Sequence, residues 1–176
     1  MNYRRILQLM IVALLLASLS NSFVWPVAGK GSAAAASSQN SYQTIKIGKA
    51  EGVIVPGERG AEFVKALSGK EGKEYWTPSK DDVRQLEEKI EFYLRKVSDR
   101  RSPALWSKLK DYRRQYAGLV ENGRKKIYAN FFCKTAQITD WKMNPVVVED
   151  GGDCFFQIKF DIEAGTFSDL YINGNA

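Results

Sequence analysis

The amino-acid sequence predicts an α+β domain in which one long helix packs on an antiparallel β-meander of about four strands. Three observations carry this expectation. A single apolar stripe of helical period runs between Thr77 and Val97, the period changes from 3.6 to 2 after Asp111, and Asn122-Gly123 separates two alternating segments.

In the helix, Thr77 suits the N-cap and Pro78 the first helical position, where its missing N–H leaves nothing unsatisfied. Asp81 and Asp82 then occupy the first turn, which the helix dipole favours. Val83, Leu86, Ile90, Tyr93, Leu94 and Val97 form one stripe, with Glu, Lys and Arg on the solvated face. Ser102-Pro103 ends this helix or begins a shorter one over residues 104–110, which carries Leu105, Trp106 and Leu109.

Residues 112–121 and 124–134 read as a hairpin, because Asn-Gly supplies the positive φ that a two-residue type I′ turn needs. That loop pairs Glu121 with Arg124, Gly118 with Ile127, Tyr116 with Ala129, Arg114 with Phe131 and Tyr112 with Cys133. One side then holds Tyr112, Tyr116, Val120, Ile127, Ala129, Phe131 and Cys133, and is the expected core. The other carries Arg113, Gln115, Lys126 and Asn130, with Leu119, Tyr128 and Phe132 among them. Residues 154–162 form the next expected strand, with Cys154, Phe156, Ile158 and Phe160 on one side and Phe155, Gln157, Lys159 and Asp161 on the other. A turn at 163–166 leads to a closing strand over 167–172. The sheet is expected to bury one face under the helix and leave the other partly wet.

The chain divides into a secretory signal over residues 1–36, a flexible or weakly stranded lead-in over 37–60, and a single α+β domain over 61–176. Arg4 and Arg5 precede the apolar run of residues 6–17, and Ala33 to Ala36 offer small residues for cleavage. The alternative is an uncleaved anchor, since residues 6–28 are long enough to span a bilayer, although Ser18, Ser20, Asn21, Ser22 and Pro26 interrupt them. The expected location is therefore periplasmic or secreted, with membrane attachment only if that segment persists. Within the lead-in, residues 42–47 and 52–55 could each form a strand, with Pro56-Gly57 as punctuation. Residues 61–68 could form a short helix closed by Gly69.

The 176 residues include no histidine, which removes Ser-His and Cys-His nucleophile pairs and every His-ligated metal site. Two cysteines are too few for a structural zinc site. No P-loop, G-x-G-x-x-G or G-x-S-x-G motif occurs. No cofactor, metal or catalytic residue is assigned. The net charge of +6 falls to +3 if Arg4, Arg5 and Lys30 leave with the leader. The densest basic clusters, Arg113-Arg114 and Arg124-Lys125-Lys126, flank a turn and read as protection of a strand edge, so nucleic acid is not an expected partner.

Cys133 and Cys154 lie on the apolar sides of successive strands, where the right register would place them within bonding distance. Export favours a disulfide; the alternative is a pair of buried thiols filling the core. Two candidate binding features remain. Glu149, Asp150 and Asp153 surround Gly151-Gly152 and could hold a hard cation or supply acid and base, or simply solvate a tight turn. Trp141, in a polar stretch between strands, is either a recognition side chain or part of the core; Trp76 and Trp106 read as core. Trp141, Asp150 and Asp153 are the binding candidates.

The helix-then-meander order, with residues 127–133, 146–156 and 165–167, resembles a cystatin-like or nuclear-transport-factor-2-like wrap. It also looks like small exported bacterial proteins of uncharacterised function. The resemblance covers about residues 75–174 and implies a cystatin-like fold and export. It carries no functional residue: Gln115-Tyr116-Ala117-Gly118 departs from the protease-blocking Q-x-V-x-G loop at the valine and the final glycine.

Together these features imply an exported, non-catalytic binding module for a protein or small molecule of the cell envelope. A cone-shaped pocket enzyme using Asp150 or Asp153 with a tyrosine, and an inhibitor or immunity protein against an envelope hydrolase, are the alternatives.

Overall fold

The computed structural model describes residues 41–72, 74–97 and 105–174. The leader over residues 1–36 and the start of the lead-in lie outside the described residues. Among those described, no helix is long and apolar enough to cross a membrane.

The elements are β1 (Gln43–Ile47), β2 (Ala50–Ile54), α1 (Gly57–Ser68), β3 (Glu74–Trp76), α2 (Lys80–Val97), a 3-10 segment (Leu105–Asp111), β4 (Tyr112–Glu121), β5 (Arg124–Cys133), a 3-10 turn (Gly152–Cys154), β6 (Phe155–Asp161) and β7 (Thr166–Ile172). They form one seven-stranded sheet of order β1-β2-β4-β5-β6-β7, with β3 also pairing β4. This overturns the expected four-strand meander beneath one helix. The sheet holds three further strands, β1, β2 and β3, and it is mixed: β2 runs parallel to the first half of β4, and β3 antiparallel to the second half. The reason for the difference is that β1, β2 and β3 are only three to five residues long. Runs that short carry little period-2 signal, and β4, the strand that brings β2 and β3 into the sheet, lies far along the chain. Residues 43–54, expected as a weakly stranded approach to the domain, are thus part of its sheet.

The β4–β5 hairpin has the expected register, from Tyr112 opposite Cys133 to Glu121 opposite Arg124. Its turn places Asn122 and Gly123 at φ 54° and 75°. Both strands are interior to the sheet, so Arg113-Arg114 and Arg124-Lys125-Lys126 do not guard an edge as expected. Arg124 pairs with Asp161 at 2.9 Å, Lys126 with Glu121 at 2.5 Å, and the Lys125 ammonium lies 5.1 Å from the Trp76 ring centre.

The first face of the sheet packs under α2. Val83, Leu86, Ile90 and Leu94 are buried against Tyr112, Tyr116, Ile127, Phe131, Phe156 and Phe160. Each such aliphatic side chain contributes about 1.5–3 kcal/mol by leaving water. The helix begins two residues later than Thr77-Pro78 implies. Ser79 caps it: the Asp82 N–H donates to Ser79 Oγ at 3.2 Å, and the Ser79 N–H donates back to Asp82 Oδ2 at 2.8 Å. Thr77 Oγ1 instead accepts the Gly57 N–H at 2.8 Å, tying β3 to the start of α1.

Within this apolar layer lies one charged cluster. The Arg114 Nε donates to Glu87 Oε1 at 3.1 Å, and the Tyr116 hydroxyl donates to the same oxygen at 2.7 Å. The remaining guanidinium nitrogens donate to the Tyr112 and Leu109 carbonyls, each at 2.8 Å. Burial pushes the Tyr116 hydroxyl well above its ordinary value, so it acts as a proton donor to the Glu87 carboxylate.

Gly118 permits β3 to lie against β4. A Cβ there would fall onto the Trp76 carbonyl oxygen and within 2.8 Å of its ring. Gly118→Ala is expected to destabilise the protein by about 1–3 kcal/mol, since the obstacle is backbone and cannot rotate away. A urea titration followed by tryptophan emission reads this directly; an unchanged midpoint would show that β3 shifts freely.

Candidate functional site

The second face of the sheet is covered in two places. Over one part lies α1, whose Phe63 and Val64 pack on Val55, Ala117, Leu119 and Tyr128. Over another lies the loop after β5, whose Trp141 and Val146 pack on Val53 and Phe132. The end of α1 is fixed by Gly69 at φ 65°, whose N–H donates to the Lys65 carbonyl.

Gln115 holds that loop down. Its Nε2 donates to the carbonyls of Trp141 and Asn144 at 2.5 and 2.7 Å, while its Oε1 accepts from Asn130 Nδ2 and the Val146 N–H, each at 3.0 Å. Gln115 and Asn130 are both buried and face each other on β4 and β5. A polar pair on the side expected to be wet thus anchors a loop instead.

Cys133 and Cys154 are joined, with Cα atoms 5.0 Å apart, so the two ends of the same loop are also linked covalently. The bond is the expected disulfide and not the alternative of two buried thiols, and a secreted or periplasmic location is compatible with it.

The three binding candidates are placed as follows. Trp141 is 7% exposed, its ring edge-on to Phe132 at 5.6 Å and flanked by Arg113 and Lys142. Its ring therefore fastens the loop to the sheet. Asp153 sits 2.7 Å from the Lys108 ammonium, and its backbone carbonyl accepts the Tyr112 hydroxyl at 2.5 Å. Asp150 is exposed, and its backbone bridges to Gly174. Glu149, Asp150 and Asp153 do not converge. Among the described residues, no group of three or more His, Cys, Asp or Glu side chains is arranged to hold a metal ion.

What neither cover reaches is a cleft of about 1250 Å³. Its walls come from the end of α1 and the 70–74 segment on one side and from residues 147–149 on the other. Its floor is the second face of β4 to β7, including Leu119, Tyr128, Gln157, Lys159, Asp169 and Tyr171. Of the earlier candidates only Glu149 lines it.

The charged side chains of the floor neutralise one another. Lys159 contacts Glu121 at 2.7 Å and Asp169 at 3.0 Å, and Lys126 contacts Glu121 at 2.5 Å. Hydrogen bonds from Lys126 and Lys159 hold the Glu121 carboxyl below its ordinary value. Burial acts to lower the Lys159 ammonium, but its bonds to Glu121 and Asp169 outweigh this and raise it. Burial also raises the Tyr128 hydroxyl, which stays protonated and donates to Gln157 Oε1 at 3.2 Å.

These shifts set a pH window. Glu121 contributes stability above the ordinary carboxyl value, and this is lost as pH falls through its lower folded value. Lys159 contributes below the ordinary amine value and loses its part as pH rises through its higher folded one. Urea midpoints between about pH 7 and pH 3 are therefore expected to fall less steeply for Glu121→Gln than for the parent, from a lower starting point. Parallel curves would show that the network contributes nothing.

Sequence reasoning placed Gln157, Lys159 and Tyr128 on the correct side of their strands but did not single them out. Alternation was the available signal; that this side would stay partly open was not in it.

Comparison with protein-family models, with characterised proteins and with solved structures returned no match.

Proposed function

We propose that this protein is an exported, non-catalytic binding module that takes a ligand, or a segment of a protein partner, in the cleft on the second face of its sheet. The observation that carries the reading is the cleft itself. It is roomy, flanked by elements fastened through Gln115 and the disulfide, and lined by both apolar and charged side chains. Concave sites of mixed lining on a rigid scaffold are where ligands bind. Export rests on the leader and accords with the disulfide.

The charged floor supports binding better than acid–base chemistry, because its carboxylates are already engaged with lysines. Asp150 and Asp153, the acids that the pocket-enzyme alternative would use, do not line the cleft.

The test is position-specific photo-crosslinking in cells exporting the protein. Val147 and Tyr171 are exposed at the cleft, and Phe92 is exposed on α2. A benzophenone amino acid at position 147 or 171 is expected to trap one discrete species that position 92 does not. Equal trapping from all three positions, or none from any, would sink the reading.

A further inference from the structure

The ligand class is written in two side chains on the cleft floor, and this inference rests on the binding reading above. Gln157 is 7% exposed. Its Oε1 accepts from Tyr128, but its Nε2 has no partner among the described residues. Asn173 is 6% exposed; its Nδ2 donates to the carbonyls of Val148 and Asp150, while its Oδ1 has no partner among the described residues. Gln157 lies opposite Tyr171 across β6–β7, and the Asn173 N–H donates to the Phe155 carbonyl at 3.0 Å, so the two amides are neighbours on one surface. Buried polar groups are ordinarily satisfied. Here a donor and an acceptor are left facing a cavity.

Three features narrow what would satisfy them. The floor's charges are mutually engaged, so a charged ligand would have to break contacts of 2.5–3.0 Å, whereas a neutral one need not. The walls carry exposed charges at Lys70, Glu71, Glu74 and Glu149, but Val64, Leu67, Val147 and Val148 also give them an aliphatic surface, which suits alkyl side chains better than the polar faces of sugar rings. The volume exceeds the roughly 300–1,000 Å³ typical of sites for a single small molecule, which suits a short oligomer. A group that both accepts and donates hydrogen bonds, repeats along a chain and carries alkyl substituents is the peptide backbone.

We propose that the cleft binds an uncharged, extended peptide segment with aliphatic side chains, reading its backbone through Gln157 and Asn173. A ligand carbonyl accepts from Gln157 Nε2 and a ligand N–H donates to Asn173 Oδ1. The alkyl side chains then meet the Val and Leu walls.

The experiment uses the disulfide-intact protein and a pool of end-capped hexapeptides built from Gly, Val, Leu, Thr and Asn. Pools of equal length carrying Lys or Glu, and a chitin tetrasaccharide, serve as comparisons. The neutral pool is expected to bind, and its best member to lose about tenfold in affinity to Gln157→Glu, the equivalent of about 1.4 kcal/mol. That variant keeps the side-chain shape and removes the N–H donors, and those donors make no bond within the protein. N-methylation of the peptide, one position at a time, is expected to abolish binding at one site. This removes the N–H that donates to Asn173 Oδ1, and so reads the second contact without altering the protein.

Preferential binding of the charged pools or the saccharide would overturn the peptide assignment and leave the binding reading standing. Unchanged affinity in Gln157→Glu would overturn the role of Gln157, and indifference to N-methylation that of Asn173. Failure of every probe, together with blank crosslinks from positions 147 and 171, would overturn both.

Discussion

Arg114→Met is expected to destabilise the protein by about 3–5 kcal/mol, more than the loss of an apolar side chain of similar size would explain. Arg114 and Glu87 are 2% and 8% exposed and lie in the layer between α2 and the sheet. Methionine fills a similar volume, so the cavity contribution is small. The Glu87 carboxylate, however, keeps only the Tyr116 hydroxyl as a partner, and the Tyr112 and Leu109 carbonyls lose their donors. An uncompensated buried charge is the dominant cost.

One measurement separates this from simple packing loss. Arg114→Met combined with Glu87→Gln is expected to recover most of the loss, because a neutral amide still accepts from Tyr116. A double variant no more stable than Arg114→Met alone would show that the charge is not the cause.

Removing the disulfide is expected to cost about 3 kcal/mol, the chain-entropy value for two cysteines 21 residues apart. For a domain of this size that corresponds to a fall in Tm of about 10 °C. The comparison is between the parent and Cys133→Ala/Cys154→Ala, with the parent repeated in reductant. The linked loop is also held by the four hydrogen bonds of Gln115, so it is expected to stay docked in the folded double variant. The near-ultraviolet dichroism of Trp141 should then persist below the transition. An unchanged Tm would mean that the unfolded chain gains no freedom from the cut. A lost Trp141 signal in the folded state would mean that the bond, and not Gln115, keeps the loop on the sheet.

The parts legible beforehand are those whose signal is local. Asn122-Gly123 specified the β4–β5 register to the residue, because a two-residue turn with positive φ admits one alignment. Alternation then placed Phe131, Phe156 and Phe160 on one side, where they pack together under α2. The α2 stripe was legible, but its cap was displaced from Thr77 to Ser79, since both residue types can cap and only the position of Gly57 engages Thr77 elsewhere.

The candidate site was less legible. Trp141 stood out as an aromatic in a polar stretch, yet polar neighbours along the chain do not report what folds beneath a ring. Phe132, nine residues earlier, does that. Gln157 and Asn173 drew no notice because an amide on the polar side of a strand, or just past its end, is ordinarily solvated. Asn173 is instead held against the carbonyls of Val148 and Asp150, and Gln157 against Tyr128.

For this protein, periodicity and turn chemistry alone decided the hairpin, the inward side of each long strand and the amphipathic helix. Tertiary structure decided that β2 lies parallel to β4, that Arg114 is buried, and that α1 and the Trp141 loop cover the second face incompletely. Steric and hydrogen-bonding preferences act over a few neighbouring residues and are written in the order of the chain. The partner of a five-residue strand, or the gap between two covering elements, follows from how the whole chain minimises its exposed apolar surface, and no short window contains that information.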